Sequence, residues 1–385
     1  MPIDDFNDLA DLLHKAGKVA AEIFASAAET EKLGRPAPAA VAALQQSGLL
    51  ALTAPRSSGG LEAGLGLQAR VALELGKGCP SVGWVASLSN AAKAMVGPML
   101  GPTAQVALFE DPQAIACASG VGTGKAVRED NGDLRISGRW RMASGCDVAT
   151  WASLVVSVLD ESGRPVEAGI VLTRVKDLEI DRSWRSAGLQ GTGSYALVAE
   201  DILVHSAFSV VGPVGHQGPP PAVVSLGAII AHLAPMVGAA LGQVEAARNL
   251  FSGDRVPSRT TYARLVESPL ARDYFARAER MVRAAERDTL AVADALDSLG
   301  PGQEPSAELR STWRMDLVSA AGSCRSAMEY LLDLHGAAGF DPQEPLQRVW
   351  RDVAVGTRYV GLNPYIAAED HARVLLNAGP AVSTL

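Results

Sequence analysis

The sequence predicts an α+β protein built from an N-terminal helical domain, a central β-barrel or sandwich domain and a C-terminal antiparallel four-helix bundle. Three observations carry this prediction. Apolar residues recur at helical spacing near the N-terminus, short β-type runs fill the middle, and helical spacing returns after a break rich in Gly and Pro. We place the domains at 1–112, 113–213 and 214–385.

The N-terminal part has apolar residues three and four positions apart in D-L-A-D-L-L-H-K-A-G-K (8–18) and V-A-A-L-Q-Q-S-G-L-L (41–50). The turn residues of P-R-S-S-G-G (55–60) separate helices. A further helix is predicted over V-G-W-V-A-S-L-S-N-A-A-K-A-M (82–95), which carries Trp84 on a surface of small residues.

The middle of the chain, from about 114 to 211, consists of short runs such as G-R-W-R-M-A-S-G (138–145) and E-A-G-I-V-L-T-R-V (167–175). Gly, Asn, Asp or Ser separate these runs, which is the pattern of a barrel or sandwich. Four long helical stretches follow, at roughly 222–252, 261–299, 306–338 and 345–377. Helices of that length predict an antiparallel bundle.

Composition excludes several classes of function. The chain has 385 residues, of which 48% are hydrophobic and 20% charged, and its formal net charge of −8 disfavours nucleic acid as a partner. No uninterrupted run of about 18 apolar residues occurs, and the acidic N-terminus lacks the pattern of a signal peptide. We therefore expect a cytoplasmic protein without a membrane partner. The four cysteines form no C-x-x-C pair, so no metal site is predicted.

Local motifs agree with this layout along nearly the whole chain. G-L-L-A-L-T-A-P-R-S-S-G-G (48–60) resembles an N-terminal turn of the acyl-CoA dehydrogenase superfamily, whose domain order is the one predicted above. Two other segments most closely resemble the group D two-component flavin-dependent monooxygenases of that superfamily: G-R-W-R-M-A-S-G-C-D-V-A-T-W (138–151) and S-W-R-S-A-G-L-Q-G-T-G-S (183–194). C-P-S-V-G-W (79–84) is also similar to that branch.

This resemblance implies a set of partners. The cofactor would be a reduced flavin, FMN or FAD, supplied by a separate flavin reductase, because no G-x-G-x-x-G nicotinamide motif follows an N-terminal strand. The other reactants would be O2 and a small-molecule substrate, which is hydroxylated or N-oxidised through a C4a-hydroperoxyflavin. A homo-oligomer, most simply a tetramer, is also implied.

The segment R-D-V-A-V-G-T-R-Y-V-G-L (351–362) resembles the dehydrogenase signature R-D-A-x-x-x-x-I-Y-E-G-T, whose Glu removes the substrate α-proton. Here Val360 takes the place of that Glu, and valine cannot accept a proton. Two alternatives stay open beside the monooxygenase: an acyl-CoA dehydrogenase with a displaced base, Glu369 or Asp370, and a flavin-free binding or assembly protein of the same fold.

The candidate flavin-binding residues come mainly from the segments 138–151 and 183–194. A flavin ring needs an apolar wall and a few polar contacts at its rim. Trp140 and Trp184 are candidate walls, Ser144 is the candidate hydroxyl beside flavin N5, and the Gly145 amide is a candidate donor. The same resemblance implies that Thr192, Gly193 and Ser194 are polar anchors. L-H-G-A-A-G-F (334–340) resembles the segment that contacts the neighbouring subunit's flavin, so His335 and Gly336 are further candidates.

On the substrate side, Trp84 is a candidate wall and Tyr359 a catalytic orienting group, because Tyr359 occupies the position where many related hydroxylases have a His. A tyrosine is a poor base at neutral pH but a good hydrogen-bond donor. His371 is a candidate substitute for that His, while Arg358 and Val360 are candidate substrate contacts. The remaining histidines, His232 among them, show no partner pattern and are expected to be surface or core residues.

Overall fold

A computed structural model describes residues 6–120, 124–214, 220–300 and 302–383. Helices, then strands, then helices follow one another along the chain, which confirms the predicted fold class. The chain divides into two compact units. Unit 1 comprises Met1–Gly64, Val85–Ser186 and Gln190–Pro220, and unit 2 comprises Leu65–Trp84, Ala187–Leu189 and Pro221–Leu385. Unit 2 thus takes one segment from the predicted N-terminal domain and one from the predicted β domain.

The N-terminal helices begin and end at residues suited to these positions. Pro38 starts one helix, where its missing N–H costs nothing, and Gly34 ends another in the left-handed conformation, with φ of +64°. The helices are α1 (Phe6–Ala25), α2 (Ala27–Leu33), α3 (Pro38–Ser47), α4 (Leu65–Gly78), α5 (Pro80–Val96) and α6 (Pro102–Phe109).

The central strands form one eight-stranded sheet. Its strands are β1 (Ala116–Ser119), β2 (Lys125–Arg128), β3 (Leu134–Ala143), β4 (Trp151–Leu159), β5 (Pro165–Arg174), β6 (Glu179–Asp181), β7 (Tyr195–Val204) and β8 (Ser209–Pro213). The strand order is β6-β7-β3-β2-β4-β5-β8, and β1 pairs with β4. The β1–β4 and β2–β4 pairs are parallel and the other pairs are antiparallel.

Apolar clusters fill unit 1 on both sides of this sheet. One cluster gathers the alternating inward residues of β3, β4 and β7, with Trp140 at its centre. The second joins Trp151 and Leu172 of the sheet to the apolar residues of α5 and α6. The N-terminal helices that belong to unit 1 therefore stabilise the sheet by burying part of its surface.

The long helices of unit 2 are α7 (Ala222–Ser252), α8 (Pro269–Asp297) and α9 (Ala307–His335), followed by α10 (Pro345–Gly356) and α11 (Pro364–Leu376). By length and composition α7 could cross a membrane, since its most apolar window has a mean hydropathy of 1.9. However, 78% of that window is buried inside the protein, where it supplies much of the apolar core. This burial is the pattern of a core helix.

The prediction of one helix over 345–377 is wrong in its middle. The chain leaves the helix after Gly356, forms a single 3₁₀ turn over Val360–Leu362, and starts α11 at Pro364. The Asn363 side chain accepts hydrogen bonds from the backbone N–H groups of Tyr365 and Ile366. An Asn cap followed by Pro starts a new helix, and this local chemistry overrides the continuous apolar periodicity.

Helices α4 and α7 meet by direct backbone contact. A Cβ added to Gly238 would lie 1.9 Å from the Leu73 carbonyl oxygen, and one added to Gly76 would lie 2.2 Å from that of Pro235. Real Cβ atoms do not approach so closely, so only glycine fits at these two positions. The α4 segment belongs to unit 2 because of this contact.

We expect Gly238→Ala to lower the free energy of unfolding by about 1–3 kcal/mol, because the added methyl group forces two packed helices apart. Gly322→Ala in α9 is the matched control, since its Cβ would meet only an arginine tip at 3.8 Å. This control should be neutral or stabilising by up to about 1 kcal/mol. Urea unfolding followed by circular dichroism measures both values, and equal stabilities of the two variants would contradict the packing argument.

Candidate active site

Three aromatic rings from separate segments of unit 2 form one cluster. The rings of His232, on α7, and Tyr359, just after α10, stack with centroids 3.7 Å apart and planes 7° from parallel. Trp84, from the start of α5, meets the His232 ring edge-on, with centroids 4.8 Å apart. We call these three residues the aromatic cluster. It joins two of the predicted substrate-side residues, Trp84 and Tyr359, through His232, for which the sequence predicts only a surface or core position.

Hydrogen bonding fixes the orientation of the His232 ring. Its Nδ1 lies 2.6 Å from the carbonyl oxygen of Ala228, one turn earlier on α7. A carbonyl oxygen can only accept, so we assign the ring proton to Nδ1. Burial lowers the pKa of His232 to about 4, and the bond to Ala228 only partly opposes this shift. The ring is therefore neutral at physiological pH, with its lone pair on Nε2.

Glycines allow the end of α10 to lie directly on α7. A Cβ at Gly356 would fall 2.4 Å from Met236 Sδ and 3.1 Å from the Trp84 ring. A Cβ at Gly361 would fall 2.6 Å from Ile229 Cγ1. Both glycines therefore hold the Tyr359 segment against the face of α7 that carries His232.

The Arg-Asp pair of the signature anchors a loop in unit 2. Asp352 is buried and accepts a hydrogen bond of 2.6 Å from the Leu189 amide. Arg351 donates one of 2.7 Å to the Ala187 carbonyl, and a Cβ at Gly188 would lie 2.1 Å from the Arg351 carbonyl oxygen. Two motifs that lie far apart in the sequence, A-G-L (187–189) and R-D, thus contact each other.

The position of the dehydrogenase base holds an exposed Val360, 62% accessible, on the 3₁₀ turn. Neither displaced candidate replaces it. Asp370 is buried in an ion pair of 2.7 Å with Arg314, and Glu369 pairs with Arg373 at 2.6 Å. The sequence predicts that these carboxylates lie on the same helix as Arg351 and Asp352. They lie instead on a separate helix, because α10 ends at Gly356 and α11 begins at Pro364.

Other predicted substrate-side residues lie apart from the ring stack. His371, on α11, has its Nδ1 3.0 Å from Ser311 Oγ on α9. Within the described residues, no hydrogen bond or ring contact joins it to Tyr359, so the structure does not place it as the substitute histidine. Arg358 is exposed. Burial is the main cause that lowers the pKa of Arg325, and the charge of Arg358 lowers it further. Its role as a substrate contact stays a prediction.

Three hydroxyl groups form a row in unit 1. Ser194 Oγ lies 2.7 Å from Ser144 Oγ and 2.7 Å from Thr192 Oγ1. Thr192 is fully buried, whereas Ser144 is 9% exposed. Ser144 is therefore the most exposed residue of this row, and Ser194 links it to the fully buried Thr192.

A bulge at the end of β3 immediately precedes Ser144. The pairing of β3 with β7 shifts register between Trp140 and Ala143, and Met142 has a φ of +61°. A bulge of this kind turns the end of a strand and is common next to binding sites. The backbone strain therefore falls on Met142, two residues before Ser144.

Two predictions for this motif are wrong in their assignment. The Trp140 side chain has no exposed surface and its Nε1 donates to the Val155 carbonyl at 2.6 Å, so it is a core residue and not a flavin wall. The Gly145 amide, the predicted donor to flavin, donates instead to the Thr192 carbonyl oxygen at 2.7 Å. Trp184 fits the role of a wall better, because it is only partly buried against the sheet cluster.

The remaining predicted flavin contacts have structural reasons for being small. Gly193 has a φ of +53°, and its Cβ would lie 3.2 Å from the Gly34 carbonyl oxygen. Gly336 is exposed, has a φ of +65°, and has open space around its Cβ. The adjacent His335 accepts a hydrogen bond at its carbonyl from Arg255, and burial followed by that charge lowers the pKa of its ring. The contact of this segment with a neighbouring flavin stays a prediction.

Sequence reasoning missed His232, although a signal for it exists. It lies three and four residues from Ile229 and Met236, on a buried face of the most apolar long helix of unit 2. A single polar ring on such a face needs a partner or a ligand. Its partner Tyr359 lies 127 positions later, so no local pattern reveals the stack.

Two stretches of the chain match models of known protein families. The family model "Acyl-CoA dehydrogenase, N-terminal domain" matches residues 10–105, and "Acyl-CoA dehydrogenase, C-terminal domain" matches residues 230–364. The second match includes His232, Tyr359 and Val360. These matches cover both helical parts of the chain.

Two curated relatives match nearly end to end. The chain is 30% identical over 370 residues to the flavin-dependent monooxygenase, oxygenase subunit HsaA, of Mycobacterium tuberculosis, with 93% of each chain covered. It is 31% identical over 380 residues to the FADH2-dependent resorcinol hydroxylase, oxygenase component, of a Rhizobium species, with 90% of each covered.

Solved structures give the same result. XiaF from a Streptomyces species, in complex with FADH2 and glycerol, has a TM-score of 0.90 at 26% identity, covering 98% of both chains. The HsaA monooxygenase from M. tuberculosis has a TM-score of 0.84 at 27% identity, covering 98% of this chain and 100% of that one.

The depressed pKa of His232 predicts an acid-dependent loss of stability. An unfolded histidine titrates near 6.5, so between about pH 6.5 and 4 the unfolded chain binds more protons than the folded one. The free energy of unfolding should therefore fall as the pH is lowered through this window. His232→Phe should reduce that slope by up to one proton. Urea unfolding at several pH values measures it.

Tyr359→Phe is the matched control, because it keeps a ring against His232 and removes no group that titrates between pH 4 and 6.5. This variant should keep the slope of the original chain. A slope in His232→Phe equal to that of the control would show that His232 titrates normally in the folded protein.

Proposed function

Because the chain belongs to the oxygenase components of the flavin-dependent monooxygenases, which have the acyl-CoA dehydrogenase fold, we propose that it oxygenates a small organic substrate with O2 and a reduced flavin. In the balanced reaction, substrate, O2 and reduced flavin give hydroxylated or N-oxidised substrate, oxidised flavin and water. A separate reductase supplies the reduced flavin, and this is supported by two relatives that are themselves an oxygenase subunit and an oxygenase component.

The observation that carries the proposal is the chemistry of the aromatic cluster. Val360 stands at the dehydrogenase base position, and no described carboxylate lies near enough to shift the pKa of His232 or Tyr359. Removal of an α-proton requires such a base. An apolar, aromatic site without a carboxylate instead suits an oxygenation that must exclude water and stray protons.

The residues of unit 1 fit a flavin. Trp184 offers a partly exposed aromatic face, and Ser144 offers a hydroxyl whose position is set by its bond to Ser194. Bound there, a reduced flavin supplies the electrons and activates O2. Ser144 would hold a hydrogen bond at the polar rim of the flavin ring, and the buried Thr192 and Ser194 would keep that hydroxyl in place.

We propose that the working protein is a homotetramer. Helix α11 exposes Tyr365 and Leu376, at 84% and 76% accessibility, and such large apolar side chains are typical of surfaces that another subunit covers. Light scattering coupled to gel filtration should give a mass about four times the 40.0 kDa of one chain. Tyr365→Glu combined with Leu376→Glu should lower this mass, and a monomeric original chain would refute the assembly.

The decisive experiment is rapid mixing of the protein and chemically reduced FMN or FAD with oxygenated buffer. We expect a transient absorbance at about 380 nm that outlives free reduced flavin and precedes the oxidised-flavin band at about 450 nm. Because chemically reduced flavin suffices, no reductase is added. Flavin oxidation at the rate of the free cofactor would refute the proposal.

The Ser144→Ala variant should shorten the lifetime of that transient by roughly tenfold or more, because one preorganised hydrogen bond is lost. Ser162→Ala, in an exposed turn, is the matched control and should leave the lifetime unchanged.

Electron transfer from an acyl-CoA to an artificial acceptor would support the dehydrogenase alternative. Failure to bind oxidised or reduced flavin would support the flavin-free alternative.

A further inference from the structure

We infer that His232 accepts, at Nε2, a hydrogen bond from an N–H or O–H group of a planar aromatic substrate, and so orients that substrate. This inference rests on the proposed function, because it names the substrate class of the same reaction. It assigns the substrate contact to a helix, α7, that carries none of the residues predicted from the sequence.

The geometry of the ring leaves one atom for a ligand. The Ala228 carbonyl holds Nδ1, Tyr359 covers one face and Trp84 packs at the ring edge-on. The side chain nevertheless keeps some accessible surface, and the Nδ1 bond is the one hydrogen bond that its ring makes among the described residues. The Nε2 lone pair is therefore the available polar contact of the ring.

The protonation state determines which ligand group fits. With its pKa lowered to about 4, His232 is neutral at pH 7, and Nε2 accepts hydrogen bonds but does not donate them. A group of this pKa is also a weak base, so it holds a substrate proton in a hydrogen bond and does not remove it. An aromatic N–H or O–H held in this way is oriented, and its ring gains electron density.

Tyr359 complements this acceptor. Burial raises the pKa of its phenol, so the hydroxyl stays protonated, and no hydrogen bond of that hydroxyl is recorded within the described residues. The stacked pair therefore contains one acceptor, His232 Nε2, and one donor, the Tyr359 hydroxyl. Around them lie the apolar side chains of Ile229, Met236 and Trp84, which favour a flat apolar ligand.

The test compares ligands that differ only in the hydrogen-bond donor. Indole and 1-methylindole form one pair, and resorcinol and 1,3-dimethoxybenzene form the other. Isothermal titration calorimetry without flavin should show that the donor ligand of at least one pair binds about 3- to 10-fold more tightly than its methylated partner, which is the range expected for one net hydrogen bond.

Three variants separate the atoms involved. His232→Phe keeps the stack but lacks the acceptor, so the difference within each pair should disappear. His232→Gln should keep most of the difference, because its amide oxygen can accept near the Nε2 position. Tyr359→Phe should also keep it. Circular dichroism and gel filtration confirm that each variant is folded, and His232→Gln serves as the informative variant if His232→Phe does not fold.

The inference is overturned if neither donor ligand binds more tightly than its methylated partner, or if the difference survives in His232→Phe. These outcomes are independent of oxygen activation. A protein that forms the absorbance transient but lacks the donor preference refutes only this inference. A protein with the donor preference but without the transient refutes the proposed function instead.

Discussion

The backbone packing of α7 is the constraint on which unit 2 depends. Gly76 and Gly238 let α4 and α7 touch without intervening side chains, and Gly356 and Gly361 bring the end of α10 onto the same helix. Interfaces of this kind tolerate little change, because there is no side chain to repack. The distance of 3.7 Å between the His232 and Tyr359 rings is a consequence of that spacing.

A second consequence concerns the part of the dehydrogenase signature that the chain retains. Arg351 and Asp352 keep a scaffold role, since they bond the backbone of residues 187–189. Val360 no longer offers the carboxylate that gives the signature its chemistry in dehydrogenases. The chain therefore separates two properties that one motif combines: the anchoring of a loop and the supply of a base. This separation explains how the same fold serves an oxygenase.

Much of the fold follows from periodicity and turn residues, because helices and strands of this length carry strong local signals. The break at Asn363–Pro364 was missed because apolar spacing continues across it, although the cap residues are visible in the sequence. Motif resemblance drew attention to Ser144, but it also drew Trp140 into the site. Burial of Trp140 depends on β7 and on Val155 of β4, and neither contact is encoded near Trp140.

The surroundings of His232 also could not be predicted from the local sequence. Its ring stacks on that of Tyr359, 127 positions away, and only packing brings the two together. A polar residue on an apolar helix face indicates that its ring nitrogens need a hydrogen-bond partner, but it does not indicate which residue or ligand that partner is. Contacts of this kind belong to tertiary structure and cannot be read from composition or spacing.

The turn after α10 combines buried residues that fix its backbone with exposed side chains. Gly361 and Leu362 are buried and fix the main chain, whereas the neighbouring side chains of Arg358 and Val360 point into accessible space. Substitutions at 358 and 360 can therefore alter the size and charge of the surface beside Tyr359 at little thermodynamic cost. Such an arrangement makes the turn evolvable: its exposed side chains can change while its backbone framework stays constant.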